Sequence, residues 1–249
     1  MVEQFAYIQS IPLAANSGMS DCVSSSTVSL KASEGVGKKN PQKRFYLGQK
    51  LIHWGFACEL FNAGCKVTVM GKENIPEEPV LFASNHQSYF DILVTHNAIN
   101  RPVGYVAKKE MEKFPLLPLY MKDIGCIFLN RTDPREGVKT IQTGAKQLQE
   151  GQCMLICPEG TRSKRDDMNE FKEGSLKMAE KAKVPVVPVA IIGTNRLLEC
   201  RPGFKIRKGD VTVAFGKPFM ISELPTEYKR KPAAYAQERI REMMELYKQ

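Results

Sequence analysis

Histidine is scarce in this chain, with three in 249 residues, and Cys-x-x-Cys does not occur. A metal centre built on a histidine cluster is therefore not expected. Seven cysteines, an odd number without paired spacing, read as reduced thiols inside a cell rather than a disulfide framework. Acids are outnumbered, 27 against 36 lysines and arginines, for a formal charge of +9. Nucleic acid and anionic membrane surfaces both attract such a charge. Basic stretches interleaved with aromatics, zinc spacing and a recognition-helix pattern are all missing, so no nucleic-acid partner is expected.

Residues 1–42 lack other things. There is no aromatic after Tyr7, and the first arginine of the chain is Arg44. Ser24-Ser25-Ser26-Thr27 is polar, and Lys31, Lys38 and Lys39 are balanced by Glu3, Asp21 and Glu34. Such a composition cannot bury enough surface to offset ordering, so this lead is expected to be disordered. It has neither a basic n-region nor a 7–15-residue apolar stretch, which argues against a secretory signal.

The next segment is richer in pattern. Over residues 43–65, Leu47, Leu51, Trp54, Cys58 and Phe61 recur at three- and four-residue spacing, one helical stripe. Phe45, Ile52, Phe56 and Leu60 fall on roughly the opposite side. Lys50, His53 and Glu59 interrupt the segment, so it is not a spanning helix of ~20 apolar residues. With Lys38, Lys39, Lys43 and Arg44 ahead of it, it reads as an interfacial amphipathic helix on an anionic membrane. A helix buried on both sides, or a dimer contact, fits the same pattern.

The most informative stretch is Asn85-His86-Gln87-Ser88-Tyr89-Phe90-Asp91. Histidine is the side chain most easily poised as a general base near neutral pH. A carboxylate that accepts its Nδ1–H fixes the tautomer and leaves Nε2 free to take a proton. On one helix, positions i and i+5 diverge by about 140°, so His86 and Asp91 could not meet there. They can meet if His86 lies on the turn leaving the strand Val80–Ser84 and Asp91 lies in the first turn of a helix over Tyr89–Ile99.

Three further blocks come in order. Gly125-Cys126-Ile127-Phe128-Leu129-Asn130-Arg131 is an apolar strand ending in an arginine, a costly choice unless an anion awaits it. Pro158-Glu159-Gly160-Thr161-Arg162-Ser163 joins a glycine, a hydroxyl and an arginine, a mixture that suits a phosphate cradle or a plain turn. Val184-Pro185-Val186-Val187-Pro188-Val189-Ala190 is apolar. Together the four blocks resemble the NHxSxxD, GxxFxxR, PEGTRS and VPVxPV-like blocks of the PlsC-type glycerophosphate and lysophosphatidate acyltransferases. The resemblance covers roughly Lys66 to Phe219.

That resemblance implies an α/β fold, also indicated by the alternation of strand and helix patterns: a mixed, largely parallel sheet flanked by helices. The acyltransferase domain is expected over 66–249. His86 and Asp91 are the expected catalytic residues. Arg131, Glu159, Gly160, Thr161, Arg162 and Lys108 form the expected phosphate-binding set, Glu159 pairing with an arginine or bonding a substrate hydroxyl. The implied reaction moves an acyl group from acyl-CoA or acyl-carrier protein to the sn-2 hydroxyl of 1-acylglycerol 3-phosphate, without a metal or redox cofactor. Glycerol 3-phosphate, another lysophospholipid, or a non-catalytic lipid-binding role are the alternatives. A peripheral or monotopic protein on the cytoplasmic side of a membrane is expected.

Overall fold

The computed structural model describes residues 41–113, 117–130, 133–200 and 205–248. The expected disordered lead therefore lies outside the described residues up to position 40, as does Arg131. The elements run α1 (Pro41–Asn62), β1 (Cys65–Met70), β2 (Leu81–Ser84), α2 (Phe90–Ala98), β3 (Val103–Lys108), α3 (Leu117–Asp123) and β4 (Ile127–Leu129). After these come α4 (Pro134–Gln149), β5 (Cys153–Ile156), α5 (Lys177–Ala182), β6 (Val186–Ile192), α6 (Thr194–Leu198), β7 (Gly209–Phe215) and α7 (Pro232–Leu246).

The strands form one sheet in the order β1-β7-β6-β2-β5-β3-β4. From β6 to β4 every pairing is parallel. β7 runs antiparallel to β6 and carries β1 parallel to itself, so the sheet is mixed but largely parallel. The central strands β2 and β5 are buried at every position, as expected of parallel strands covered on both faces. Edge strand β1 is largely exposed.

Strand alternation divides the core in two. Leu81, Ala83, Met154, Ile156, Val186 and Ala190 face one layer, built on α4, α5 and α7. Phe82, Val103, Tyr105, Leu155, Val187 and Val189 face the other, with α2 and the inner side of α1. Helix α4 begins where Asp133 accepts from the Arg135 N–H at 2.8 Å and Pro134 takes the first helical turn.

Helix α1 has a buried and an exposed side, and of the stripe Leu47, Leu51, Trp54, Cys58 and Phe61 only Trp54 and Phe61 are exposed. Leu60 is buried and Ile52 packs on the core, while Gln49 donates to the carbonyls of Val103 and Ile124 at 3.2 and 3.1 Å. Arg44 pairs with Asp123 at 2.8 Å. On the outside stand Tyr46, Trp54, 47% exposed, and Phe61, 84% exposed. A helix buried on both sides is thereby ruled out for the single chain. Among the described residues no helix is long and apolar enough to cross a membrane.

Where α1 meets α2, His96 is buried with its ring 5.4 Å from Phe56 and 6.1 Å from both Tyr105 and His53. Burial lowers its pKa from 6.5 to about 4. The unfolded chain takes up this proton at a higher pH than the folded one. Stability from His96 is therefore complete above pH 6.5 and lost as the pH falls toward about 4. Urea midpoints should drop more between pH 7.5 and 5 in the wild type than in His96→Gln. Equal drops in the two proteins would contradict the assignment.

Candidate active site

The parallel strands end along one edge of the sheet, and the segments with His86 and with Pro158 to Ser163 leave strands there, while the Val184 to Ala190 block builds β6 itself. His86 comes after β2, Pro158 to Ser163 after β5, Lys108 closes β3, and Arg131 stands two positions beyond β4 in the chain. Ligands of open α/β sheets bind beyond this edge of the strands.

His86 sits on the turn leaving β2 and Asp91 in the first turn of α2, as the spacing required. The imidazole Nδ1 is 2.7 Å from Asp91 Oδ2. A carboxylate only accepts, so Nδ1 carries the proton and Nε2 presents its lone pair. Asp91 is 1% exposed and the His86 side chain 20%, so the dyad opens outward through the imidazole alone. The same Oδ2 accepts from the Gln87 and Ser88 N–H groups at 2.7 and 2.9 Å. A carboxylate in the first turn of α2 also suits the helix dipole. Ser88 Oγ accepts the Phe90 N–H and Asn85 pairs with both the N–H and C=O of Ile191 at 2.8 Å, tying the turn to β6.

The loop after β5 grips His86 from its other side. Glu159 Oε1 accepts the His86 N–H at 2.6 Å, and the Ser163 N–H donates to the His86 carbonyl at 2.7 Å. Glu159 Oε2 accepts the Asn169 N–H at 2.6 Å. Burial raises the Glu159 carboxyl pKa, and the two amides oppose that shift. Backbone amides hold both oxygens of Glu159, and no arginine pairs with it among the described residues. Gly160 takes a positive φ of 74° in the next turn, and Thr161 is exposed.

Arg162 finds a different acid. Its Nη1 donates to Glu199 Oε1 at 2.8 Å, and its guanidinium lies 3.5 Å from the centre of the Tyr89 ring. Glu199 also accepts the Tyr89 N–H at 3.1 Å. The carboxyl of Glu199 is raised by burial, against the pull of Ser88, Tyr89 and Arg162. Arg162 is thus held in one orientation with further N–H donors to spare. The structure brings together His86, Asp91, Glu159 and the 160–163 turn. Asn85, Gln87, Asn169, Thr194 and Glu199 join them, and sequence reasoning assigned them no role. Asn85 and Gln87 lay within a recognised block; no local signal marked the others.

A family model described as acyltransferase matches residues 66–192, half of the chain. The chain belongs to the acyltransferase family. A 1-acyl-sn-glycerol-3-phosphate acyltransferase of Chlamydomonas reinhardtii is 35% identical over 69% of this chain and 52% of its own length. A probable 1-acyl-sn-glycerol-3-phosphate acyltransferase of Mycoplasma genitalium is 35% identical over 71% of this chain and 68% of its own. This chain therefore spans about half of the algal relative and two thirds of the bacterial one. Among solved structures, the 1-acyl-sn-glycerophosphate (LPA) acyltransferase PlsC from Thermotoga maritima superposes with a TM-score of 0.70 at 26% identity, covering 83% of both chains.

The grip on His86 can be tested by its cost. Glu159→Ala leaves two amides without their charged acceptor, at about 1.5–3 kcal/mol for each such bond. Urea unfolding should show a clear loss of stability, and any remaining folded protein should turn over more slowly as His86 loosens. Wild-type stability and activity in Glu159→Ala would remove it from this role.

Proposed function

We propose that this acyltransferase moves an acyl group from a thioester, acyl-CoA or acyl-carrier protein, to the sn-2 hydroxyl of 1-acylglycerol 3-phosphate. One observation carries the reading: a histidine with Nδ1 committed to a buried carboxylate and Nε2 open at the sheet edge. Non-catalytic lipid binding asks for neither group. The names of the relatives and the fold of the Thermotoga enzyme support the acceptor.

His86 Nε2 takes the proton of the acceptor hydroxyl as its oxygen attacks the thioester carbonyl. Asp91 keeps the imidazole oriented and balances the charge it gains. The tetrahedral intermediate expels the thiolate, which takes the proton back from the His86 imidazolium. The hydroxyl is itself the nucleophile, so the reaction asks for no acyl-enzyme, metal or redox cofactor. Arg162, fixed by Glu199 and Tyr89, offers the acceptor's phosphate a pre-oriented guanidinium, with Arg131, Lys108, Gly160 and Thr161 completing the cradle. Glu159 serves this site from behind, through the backbone of His86.

The outward stripe of α1, with Tyr46, Trp54 and Phe61, rests on the membrane that holds the acceptor, on its cytoplasmic side, and Lys43 and Lys50 reach anionic headgroups.

His86→Ala should lose roughly 10²–10⁴-fold in turnover with the fold intact, the usual contribution of a general base. Full activity in the folded variant would sink the mechanism. Arg162→Ala should raise the acceptor's KM and leave the donor's almost unchanged. An effect confined to the donor would reassign Arg162 to the phosphates of coenzyme A. Vesicles containing anionic lipid should bind the protein, bring a blue shift in the fluorescence of Trp54, the sole tryptophan, and release it as salt rises. No spectral shift together with no vesicle binding would leave the outer stripe to a contact between two copies of the chain.

A further inference from the structure

Asp91 Oδ2 accepts the imidazole and two amides, yet a carboxylate fastened by one oxygen can still swing about its own axis. Its second oxygen, Oδ1, is 2.5 Å from Thr194 Oγ1, on a residue 103 positions away that opens α6. Thr194 is wholly buried. We infer that Thr194 is a positioning residue for the dyad, locking the plane of the Asp91 carboxylate so that Oδ2 stays directed at His86. The inference rests on the acyl-transfer reading of the site.

The local backbone is shaped to deliver this hydroxyl. Gly193 turns the chain out of β6 at φ 93°, and a Cβ there would lie 2.8 Å from the Asp210 carbonyl oxygen, so only glycine fits. The Gly193 N–H donates to Gln87 Oε1 at 3.1 Å, and Gln87 Nε2 donates to the Asp166 carbonyl at 3.2 Å. Gln87 thereby splints the turn next to His86 to the turn that carries Thr194. The threonine hydroxyl has one proton and two acceptors within reach, Asp91 at 2.5 Å and Gln87 Oε1 at 3.4 Å. The carboxylate is nearer and charged, so it takes the proton.

A purely structural threonine and a positioning one differ in what a conservative change does. Thr194→Val keeps the shape and removes the donor, while Thr194→Ser keeps the donor. With 1-acylglycerol 3-phosphate and acyl-CoA, Thr194→Val should lower kcat roughly 10- to 100-fold, the scale for partners that orient a reacting group, with both KM values held. Without the threonine proton, Asp91 keeps more of its charge toward the imidazole, so the acid limb of the kcat/KM profile should move to higher pH. Thr194→Ser should restore both. A lower melting temperature in Thr194→Val with kcat and pH profile unchanged would overturn the proposal.

A second readout does not depend on turnover. With three histidines in the chain, imidazole nitrogen resonances are few, and His86→Ala identifies the relevant pair. The Nδ1–H resonance of His86 should move and broaden in Thr194→Val and return in Thr194→Ser. An unmoved resonance would also overturn the proposal. A wild-type protein that transfers no acyl group, yet shows this response, would leave the anchor standing and discard the reaction assigned to it.

Discussion

A carboxylate with 1% exposure has to be satisfied by the protein around it, and the functional edge of this fold is organised by how Asp91 meets that demand. Its donors come from the turn after β2 and from the first residue of α6. Each bond removes a freedom from the turn that carries His86. Glu159 and Ser163 then fasten the histidine's main chain to the loop after β5. The imidazole is held through Nδ1 and left partly exposed on its Nε2 side. Preorganisation of this kind lets a base meet a hydroxyl without first rearranging its surroundings.

The second acid pair has a different purpose from the first. Arg162 donates to Glu199 and stacks over the face of the Tyr89 ring, which together fix the direction of its guanidinium. A buried acid under a basic anion binder lowers its net charge but fixes its direction. Helix α1 adds the third constraint. Its inner side is bolted to β3 and α3 through Gln49 and Arg44, and its outer side carries the exposed aromatics. Whatever α1 rests on is therefore held in a set orientation to α2, against which it packs and whose first turn carries Asp91.

Much of this is legible in the sequence. The buried strands β2, β5 and β6 are short apolar runs, and the His86–Asp91 spacing admits a strand-turn-helix and no single helix. The helical periodicity of α1 shows, but Tyr46 on its exposed side belongs to neither stripe read from it. The features that escape do so for physical reasons. Edge strand β1 is only half covered, so its pattern is weak. α3 reads as an apolar segment because Phe114 to Met121 has no polar face, and residues 114–116 of it lie outside the described residues. The partners of the dyad escape because they are long-range: Thr194 and Glu199 are ordinary residues until the sheet brings β6 beside β2. Glu159 stands out as part of a block, but an acid's partner cannot be read from its neighbours in sequence, and the backbone amides it holds leave no signature there.

In the proposed mechanism the acceptor hydroxyl is the only nucleophile, activated by His86. The competing course is an acyl-enzyme on a thiol such as Cys157, just after β5 with its Sγ 3.4 Å from Ser84 Oγ. Pre-steady-state mixing of the protein with acyl thioester, with and without 1-acylglycerol 3-phosphate, decides between them. Direct transfer predicts no burst of free thiol until the acceptor is added, and no mass increase of the protein by one acyl group. A stoichiometric burst with donor alone, matched by an acylated protein that passes its group to the acceptor, would contradict it.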